Sequence, residues 1–204
     1  MLSPTLNVKS WSFPSRFVML LCGLVVCSVA IALMLNAQVG LSPWDALHQG
    51  ISHHTPLSVG QTTILMGLVV LGVSWAFLRH PVGVGTVLNM ALIGLFIDLS
   101  LPHLPHPSVL WEQWVQFLLG VVVLGVGTGM YVSSALGAGP RDGLVIALSQ
   151  NTRWGVKRIR TAIEMVVLLA GFLLGGSVGW GTLAFALLVG PAMSLGMRLF
   201  GVRK

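Results

Sequence analysis

Long apolar stretches alternate with short polar segments along the whole chain. Six stretches have about 17 to 22 residues each. At about 1.5 Å per residue, that length lets an α-helix cross a hydrocarbon layer of about 30 Å. We therefore predict an all-α, polytopic membrane protein with six transmembrane helices. The predicted spans are residues 17–38, 61–78, 82–101, 114–134, 159–175 and 180–200.

The composition and the charges support this prediction. Charged residues make up 8% of the chain and hydrophobic residues 55%, a balance that a soluble domain of this length does not have. If the N-terminus lies in the cytoplasm, all eleven Lys and Arg residues fall on the cytoplasmic side, as the positive-inside rule requires. Because these cations flank apolar spans, we expect both termini in the cytoplasm and no nucleic-acid partner. The cations are Lys9, Arg16, Arg79, Arg141, Arg153, Lys157, Arg158, Arg160, Arg198, Arg203 and Lys204.

Two polar motifs occur twice in the chain. The GxxPxD motif is Gly40-Leu-Ser-Pro-Trp-Asp45 and, 97 positions later, Gly137-Ala-Gly-Pro-Arg-Asp142. The GxGT motif occupies residues 83–86 and 179–182. Matches in Gly, Pro, Asp and Thr mean more than matches between apolar residues, because backbone geometry and polarity select these residue types. The sequence therefore predicts an internal duplication.

A duplicated unit with three spans must enter the membrane from opposite faces in its two copies. This is the inverted-repeat arrangement of many transporters. We predict one membrane domain over residues 1–204, in which a cytoplasmic tail (1–16) precedes repeats at about 17–100 and 114–197. Each face of the membrane then carries one GxxPxD motif and one GxGT motif.

Each GxxPxD motif has the sequence of a helix start. Ser42 suits the N-cap, Pro43 the first helical position, and Asp45 the positive end of the helix dipole. The helix that follows, residues 43–52, is too short to cross a membrane. Either the two short helices re-enter the bundle and line a solute path or gate, or they lie flat at the interface. The residues of the path or gate would be Pro43, Asp45, Pro140 and Asp142.

Glu164 is the acidic residue most clearly within a predicted span, roughly 9 Å from its start. It is also a candidate for the solute path or gate, although Arg160 one turn earlier offers a local partner. The remaining motif residues are expected to act in helix packing or turns, since small residues let helices approach closely. They are Gly40, Gly83, Gly85, Thr86, Gly137, Gly179, Gly181 and Thr182.

The sequence contains no specific signature of an enzyme, a metal site or a cofactor. Residues 175–179 formally match GxSxG, but they lie in a tight connection between two spans, where the strand that precedes a nucleophile elbow is lacking. The spacing of the histidines on the predicted outer face matches no metal-ligand set, so we expect them to be solvated. We therefore predict no catalysis, no metal and no cofactor. The histidines are His48, His53, His54, His103 and His106.

The motifs also carry a family resemblance. Gly40-Leu-Ser-Pro-Trp-Asp45 with the following Ala-Leu, Val82-Gly-Val-Gly-Thr86, and Gly137-Ala-Gly-Pro-Arg-Asp-Gly143 resemble the YczE/YyaS/YitT group of bacterial integral membrane proteins, and above all its short YczE-like members. The resemblance covers about residues 15–200. It implies a multipass protein of the bacterial cytoplasmic membrane, and it implies no particular activity.

These features favour a channel or carrier for a small solute. Few ionisable groups lie at membrane depth, so a small neutral or zwitterionic solute suits the sequence better than a strongly charged one. The alternative is a non-transporting accessory, either a subunit that binds a ligand or a scaffold for another membrane complex. The expected partners are the lipid bilayer, a small-molecule solute, and a membrane protein or a second copy of the chain.

Overall fold

The computed structural model describes residues 11–76, 83–137 and 139–201. Over these residues the fold is all-α, with eight helices, one 3-10 turn at Leu101–His103, and no strand. Lys9, Arg79, Val82, Arg203 and Lys204, which enter the predictions of topology and motif, lie outside the described residues. The helices are α1 Phe13–Ala37, α2 Pro43–His54, α3 Val59–Ala76, α4 Val84–Ser100, α5 Leu110–Ser133, α6 Pro140–Asn151, α7 Val156–Leu173 and α8 Trp180–Leu199.

Five of the described helices are long and apolar enough to cross a membrane: α1, α3, α4 with its 3-10 turn, α5 and α8. They coincide with five of the six predicted spans. The remaining prediction, residues 159–175, coincides with α7, which is 18 residues long. Its first half carries Lys157, Arg158, Arg160 and Glu164, so α7 is less apolar than the other five. The chain is therefore an all-α membrane protein with at least five helices of spanning length among the described residues.

The same order of helices occurs twice at a constant interval. α5, α6 and α7 begin 97 residues after α1, α2 and α3 respectively. α2 and α6 have 12 residues each, and α3 and α7 have 18 each. The loops before α2 and α6 also share a backbone conformation, with φ of 56° and 126° at Gln38 and Gly40 and of 51° and 143° at Ala135 and Gly137. The two halves of the chain therefore share helix order, helix lengths and the backbone conformation of the loops before α2 and α6.

The helices α1 and α5 cross in an antiparallel direction through two equivalent contacts. Gly23 of α1 abuts Tyr131 of α5, and Gly120 of α5 abuts Met34 of α1. A Cβ at Gly23 would lie 2.6 Å from the Tyr131 nitrogen, and one at Gly120 would lie 2.6 Å from Met34 Cγ. Position 23 corresponds to 120, and position 34 to 131, in the two units. The contact is therefore reciprocal, and only glycine allows the helices to come this close.

The GxGT motif of each unit packs on the loop that precedes α2 or α6 in the other unit. The Gly85 nitrogen donates to the Leu136 carbonyl at 3.0 Å, and the Gly181 nitrogen donates to the Val39 carbonyl at 2.8 Å. Val39 and Leu136 are again equivalent positions. The hydroxyl of Thr182 accepts from the Leu41 nitrogen at 3.2 Å. These hydrogen bonds satisfy backbone groups at the ends of helices and fix how α2 and α6 enter the bundle.

The most deeply buried helix is α1. From Leu20 to Ala37 most of its side chains are buried, which explains why this helix is apolar on every side. Phe117 of α5 is fully buried and meets Trp114 edge to face, with ring centroids 5.9 Å apart. By contrast, α7 and α8 expose large apolar side chains such as Phe172 and Leu187. In a membrane protein such a surface faces lipid or another protein.

Candidate functional site

A cavity of about 270 Å³ lies among the helices, and each of the eight described helices contributes to its wall. Its volume corresponds to roughly nine water molecules at about 30 Å³ each. Apolar side chains such as Ile31, Leu124 and Phe185 form one part of the wall. The polar and charged lining residues are Ser42, Asp45, His48, Thr63, Asn89, Thr128, Tyr131, Arg141, Asp142, Arg160 and Glu164. Most of the wall is apolar, so the cavity suits a small molecule that has both apolar and polar parts.

All five residues that the sequence proposed for a solute path or gate line this one cavity: Pro43, Asp45, Pro140, Asp142 and Glu164. The first turns of α2 and α6 therefore face the same space, although they are 97 residues apart. None of the eight glycine and threonine residues assigned to packing or turns lines it.

Asp45 lies at the buried beginning of α2 and is only 4% exposed. The Ser42 hydroxyl donates to Asp45 Oδ2 at 2.5 Å, and the Asp45 nitrogen donates to the Ser42 hydroxyl at 3.2 Å. The Ser42 hydroxyl is therefore the N-cap that the sequence predicts, and the Asp45 carboxylate holds this hydroxyl in place. Burial raises the pKa of Asp45, and this effect is opposed by the charge of Arg141 and by the hydrogen bond from Ser42. Ser42 thus caps α2, and Asp45 accepts a hydrogen bond from the capping hydroxyl and lines the cavity.

His48, one turn after Asp45, was expected to be solvated, and that prediction is wrong. Its side chain is 1% exposed, and Nδ1 lies 3.0 Å from the Thr63 hydroxyl and 3.9 Å from Asp45 Oδ1. The Thr63 hydroxyl is thus shared between His48 Nδ1 and the Val59 carbonyl, which lies 2.9 Å away. Burial lowers the pKa of His48 well below its usual value, which keeps the ring neutral. The error arose because α2 packs against α3 and α7, contacts that a 12-residue pattern does not reveal.

Arg141 at the beginning of α6 lies over the indole ring of Trp44 at the beginning of α2. The guanidinium carbon is 4.8 Å from the ring centroid, which is within cation–π distance. Trp44 and Arg141 occupy the same position of the two GxxPxD motifs, so the position at which the motifs differ forms a contact between the two units. The charge pattern of the sequence assigns Arg141 to topology alone. Its place inside a GxxPxD motif was the signal that could have indicated a second role.

A second charged group lies on α6 and α7. Arg160 Nε donates to Glu164 Oε1 at 3.1 Å, and Arg160 Nη1 lies 3.8 Å from Asp142 Oδ1. The Glu164 side chain is 43% exposed. Glu164 has the local partner Arg160 and also lines the cavity. Asp142 differs from its counterpart Asp45 in being partly exposed and in having a cation as its neighbour.

The cavity concentrates the few charges of the chain. Three of the five acidic residues line it, together with two arginines. Among the residues that the structure describes, no group of three or more His, Cys, Asp and Glu is placed to hold a metal ion. The polar groups that line the cavity can form ion pairs and hydrogen bonds.

Comparison with known proteins decides the family. Residues 14–198 match the family described as "Family of unknown function (DUF6198)". The chain belongs to this family. It is 39% identical to the "Uncharacterized membrane protein YczE" of Bacillus subtilis (strain 168) over 86% of the chain and 82% of that protein. It is 36% identical to an "Uncharacterized protein" of Haemophilus influenzae over 85% of the chain and 79% of that protein.

A third relative is the "Uncharacterized protein YyaS" of Bacillus subtilis, at 26% identity over 86% of the chain and 89% of that protein. The resemblance to the YczE and YyaS proteins that the motifs indicated is thus confirmed. No solved structure matches the chain. Membership in the family supports a membrane-embedded protein in a lipid bilayer. It indicates no particular activity.

Proposed function

We propose that the protein is a channel or carrier for a small neutral or zwitterionic solute, which passes through the cavity between α2 and α6. The observation that carries this proposal is the convergence of both GxxPxD motifs, with Asp45 and Asp142, on one cavity. Discontinuous helices whose N-termini face a shared site are the usual means by which transporters with inverted repeats bind solute.

The proposal includes a topology of six spans in two inverted repeats, with α7 as the fifth span in chain order. The antiparallel crossing of α1 and α5, built from equivalent contacts, supports an inverted relation between the units. Arg16 donates to the carbonyls of Ser134 and Ala135 at 2.7 and 3.2 Å, so the start of α1 and the end of α5 share one face. This face would be the cytoplasmic one.

The end of α8 supports the same orientation. Gly125 of α5 contacts Ala192 of α8, and Gly129 contacts Gly196 four residues further along both helices. The two helices are therefore parallel, and Arg198 near the end of α8 lies toward the same face as Arg16. Grouping these cations on one face agrees with the positive-inside rule and with both termini in the cytoplasm.

The short helices suit a path that crosses part of the membrane. Twelve residues make a helix of about 18 Å, which is shorter than the hydrocarbon layer of about 30 Å. The first turn of α2 is buried in the bundle, at Trp44 and Asp45. Broken helices at membrane depth occur where they border protein or a water-filled space. This supports the re-entrant arrangement over the interfacial one.

The proposal is tested by flux through proteoliposomes. Vesicles with the purified protein are incubated with glycerol, urea, betaine, alanine and leucine, and their lumenal content is measured by mass spectrometry. We expect at least one solute to enter faster than in protein-free vesicles, and Asp45→Asn/Asp142→Asn to reduce that rate at least tenfold. Glu112→Gln is the matched control, because Glu112 lies on α5 outside the cavity.

Entry no faster than in protein-free vesicles for every solute, with the protein folded, would overturn transport. In that case the accessory function, a subunit that binds a ligand without moving it, would take its place. Equal rates for the double variant and the wild type would remove the two carboxylates from the mechanism.

A further inference from the structure

The guanidinium of Arg141 has no partner within the part of the chain that the structure describes, apart from the ring of Trp44. In this part of the chain Arg141 forms no hydrogen bond and no ion pair. Asp45, Asp142 and Glu164 attract its positive charge, but they lie beyond ion-pair distance. No fully buried side-chain nitrogen or oxygen of these residues lacks a partner. The free nitrogens of Arg141 are therefore accessible, and the space that they reach is the cavity.

The contact with Trp44 places the guanidinium carbon 4.8 Å from the ring centroid, within cation–π distance. A guanidinium that lies over an aromatic ring keeps its N–H groups at the edge of its own plane, where they remain available. Trp44 is 8% exposed and packs in a cluster with Leu47 and Val70, so it is a fixed support. A guanidinium fork of this kind pairs best with a planar, doubly accepting anion such as a carboxylate.

Negative charge is in excess in a second group on the cavity wall, which consists of Asp142, Arg160 and Glu164. One cation there lies within ion-pair distance of two carboxylates, at 3.8 and 3.1 Å, so this group has one more negative charge than it has cations in contact. A ligand that carried only a carboxylate would meet this excess, and a ligand that carried only an ammonium would meet Arg141. A zwitterion can place its carboxylate at Arg141 and its ammonium at Asp142 and Glu164.

We infer that the cavity binds a small aliphatic zwitterion, with its carboxylate on Arg141 and its ammonium near Asp142 and Glu164. This inference rests on the proposed function for the route of the solute, and it narrows the solute class. The cavity has room for roughly nine water molecules. Alanine, valine and leucine are aliphatic zwitterions small enough for this volume.

The test measures binding and does not require flux. Calorimetry on the detergent-purified protein compares alanine, valine and leucine with their carboxamides, which lose the carboxylate charge, and with the matching carboxylic acids, which lack the amino group. We expect an amino acid of this series to bind at least tenfold more tightly than its carboxamide and its amine-free acid. Equal affinity for an amino acid and its carboxamide, or no binding of any amino acid, would overturn the inference.

Variants of Arg141 test whether this residue causes the preference for an amino acid over its carboxamide. Arg141→Gln should lower the affinity for the amino acid to that for the carboxamide, and Arg141→Lys should keep part of the difference, because the charge remains without the fork. Arg158→Gln, on the exposed face of α7 and outside the cavity, should leave both affinities unchanged. Persistence of the full discrimination in folded Arg141→Gln would contradict the assignment.

The comparison of ligands on the wild-type protein tests the inference even if Arg141→Gln does not fold. Discrimination in binding together with no flux would retain the zwitterion site and remove the transport function. Flux of glycerol or urea without any binding preference for amino acids would overturn the zwitterion site and retain the transport function.

Discussion

Arg141 and Trp44 are equivalent residues of the two GxxPxD motifs, and they contact each other across the boundary between the two units, with 4.8 Å between the guanidinium carbon and the indole centroid. A residue and its counterpart can touch only if they lie close to the axis that relates the two units. Because this position is Trp in one copy and Arg in the other, the two residues form a cation–π pair.

Loss of this pair should weaken the contact between α2 and α6. We expect Trp44→Phe to lower the free energy of unfolding by about 1 kcal/mol, because phenylalanine offers a smaller and weaker π-face to the cation. Thermal unfolding in detergent measures the change. Trp154→Phe, at an exposed tryptophan after α6, should change stability by less than about 0.5 kcal/mol.

A double-mutant cycle isolates the pair. In an Arg141→Gln background the cost of Trp44→Phe should fall below about half its value in the wild type, because the cation is no longer present. An unchanged cost would show that Trp44 stabilises the protein through apolar packing alone.

The raised pKa of Asp45 predicts a pH dependence of stability. The unfolded chain loses this proton near the usual value of 3.8, and the folded protein keeps it to a higher pH. Between the two values the folded state binds more protons, so stability falls as pH rises through this window. Asp45→Asn cannot ionise and should escape the fall. The stability of the variant relative to the wild type should therefore increase with pH, as measured by urea or thermal unfolding in detergent.

Two neighbouring groups enter this comparison. His48 on α2 and Arg141 on α6 both face Asp45, and the lowered pKa of His48 adds a pH dependence of the opposite sign below its usual value of 6.5. Both groups are present in the variant and in the wild type, so the difference between the two proteins reports on Asp45. A constant difference over the whole window would contradict a raised pKa. Glu112→Gln provides the matched change of an acid outside the cavity.

The sequence was sufficient for the helices and insufficient for the partners of the polar residues. Apolar length predicted the start of α3 and both ends of α8 within two residues, because the hydrocarbon layer sets that length; the predicted end of the second span, residue 78, lies outside the described residues. α1 and α5 begin four residues earlier than predicted, since their first turns contain polar and aromatic residues that do not extend an apolar run. Pattern alone thus locates a span better than it locates a helix end.

For the cavity, the duplication was the informative signal. It indicated Asp45 and Asp142 because the same acid is present in both copies. It could not indicate His48, whose partner Thr63 lies on another helix, nor the pairing of Trp44 with Arg141 across 97 residues. Such contacts depend on how the two units pack, which hydrophobic periodicity does not encode.

Two glycines with positive φ should be intolerant of substitution. At Gly40, with φ of 126°, a Cβ would lie 2.8 Å from the Thr182 nitrogen, so Gly40→Ala combines backbone strain with a clash against backbone. We expect a loss of about 1–3 kcal/mol in unfolding free energy, and a similar loss for its counterpart Gly137→Ala, with φ of 143°. Thermal unfolding in detergent provides the measurement.

Gly190→Ala in α8 is the control, because no atom lies within 4 Å of the position that the new methyl group would occupy. It should be neutral or stabilising by about 0.5–1 kcal/mol, since alanine favours a helix more than glycine does. Equal effects of Gly40→Ala and Gly190→Ala would mean that the cross-unit contact with the GxGT motif contributes no stability.

The inverted topology predicts opposite exposure of two equivalent residues. Thr55 and Thr152 follow α2 and α6, are both exposed, and share the same backbone conformation. With Cys22 and Cys27 replaced by serine, a cysteine at position 55 should react with a membrane-impermeant maleimide on intact cells. A cysteine at position 152 should react only after the membrane is permeabilised. Since the two sites match in local structure, a difference in labelling measures their side of the membrane, and labelling of both on intact cells would contradict the inverted repeat.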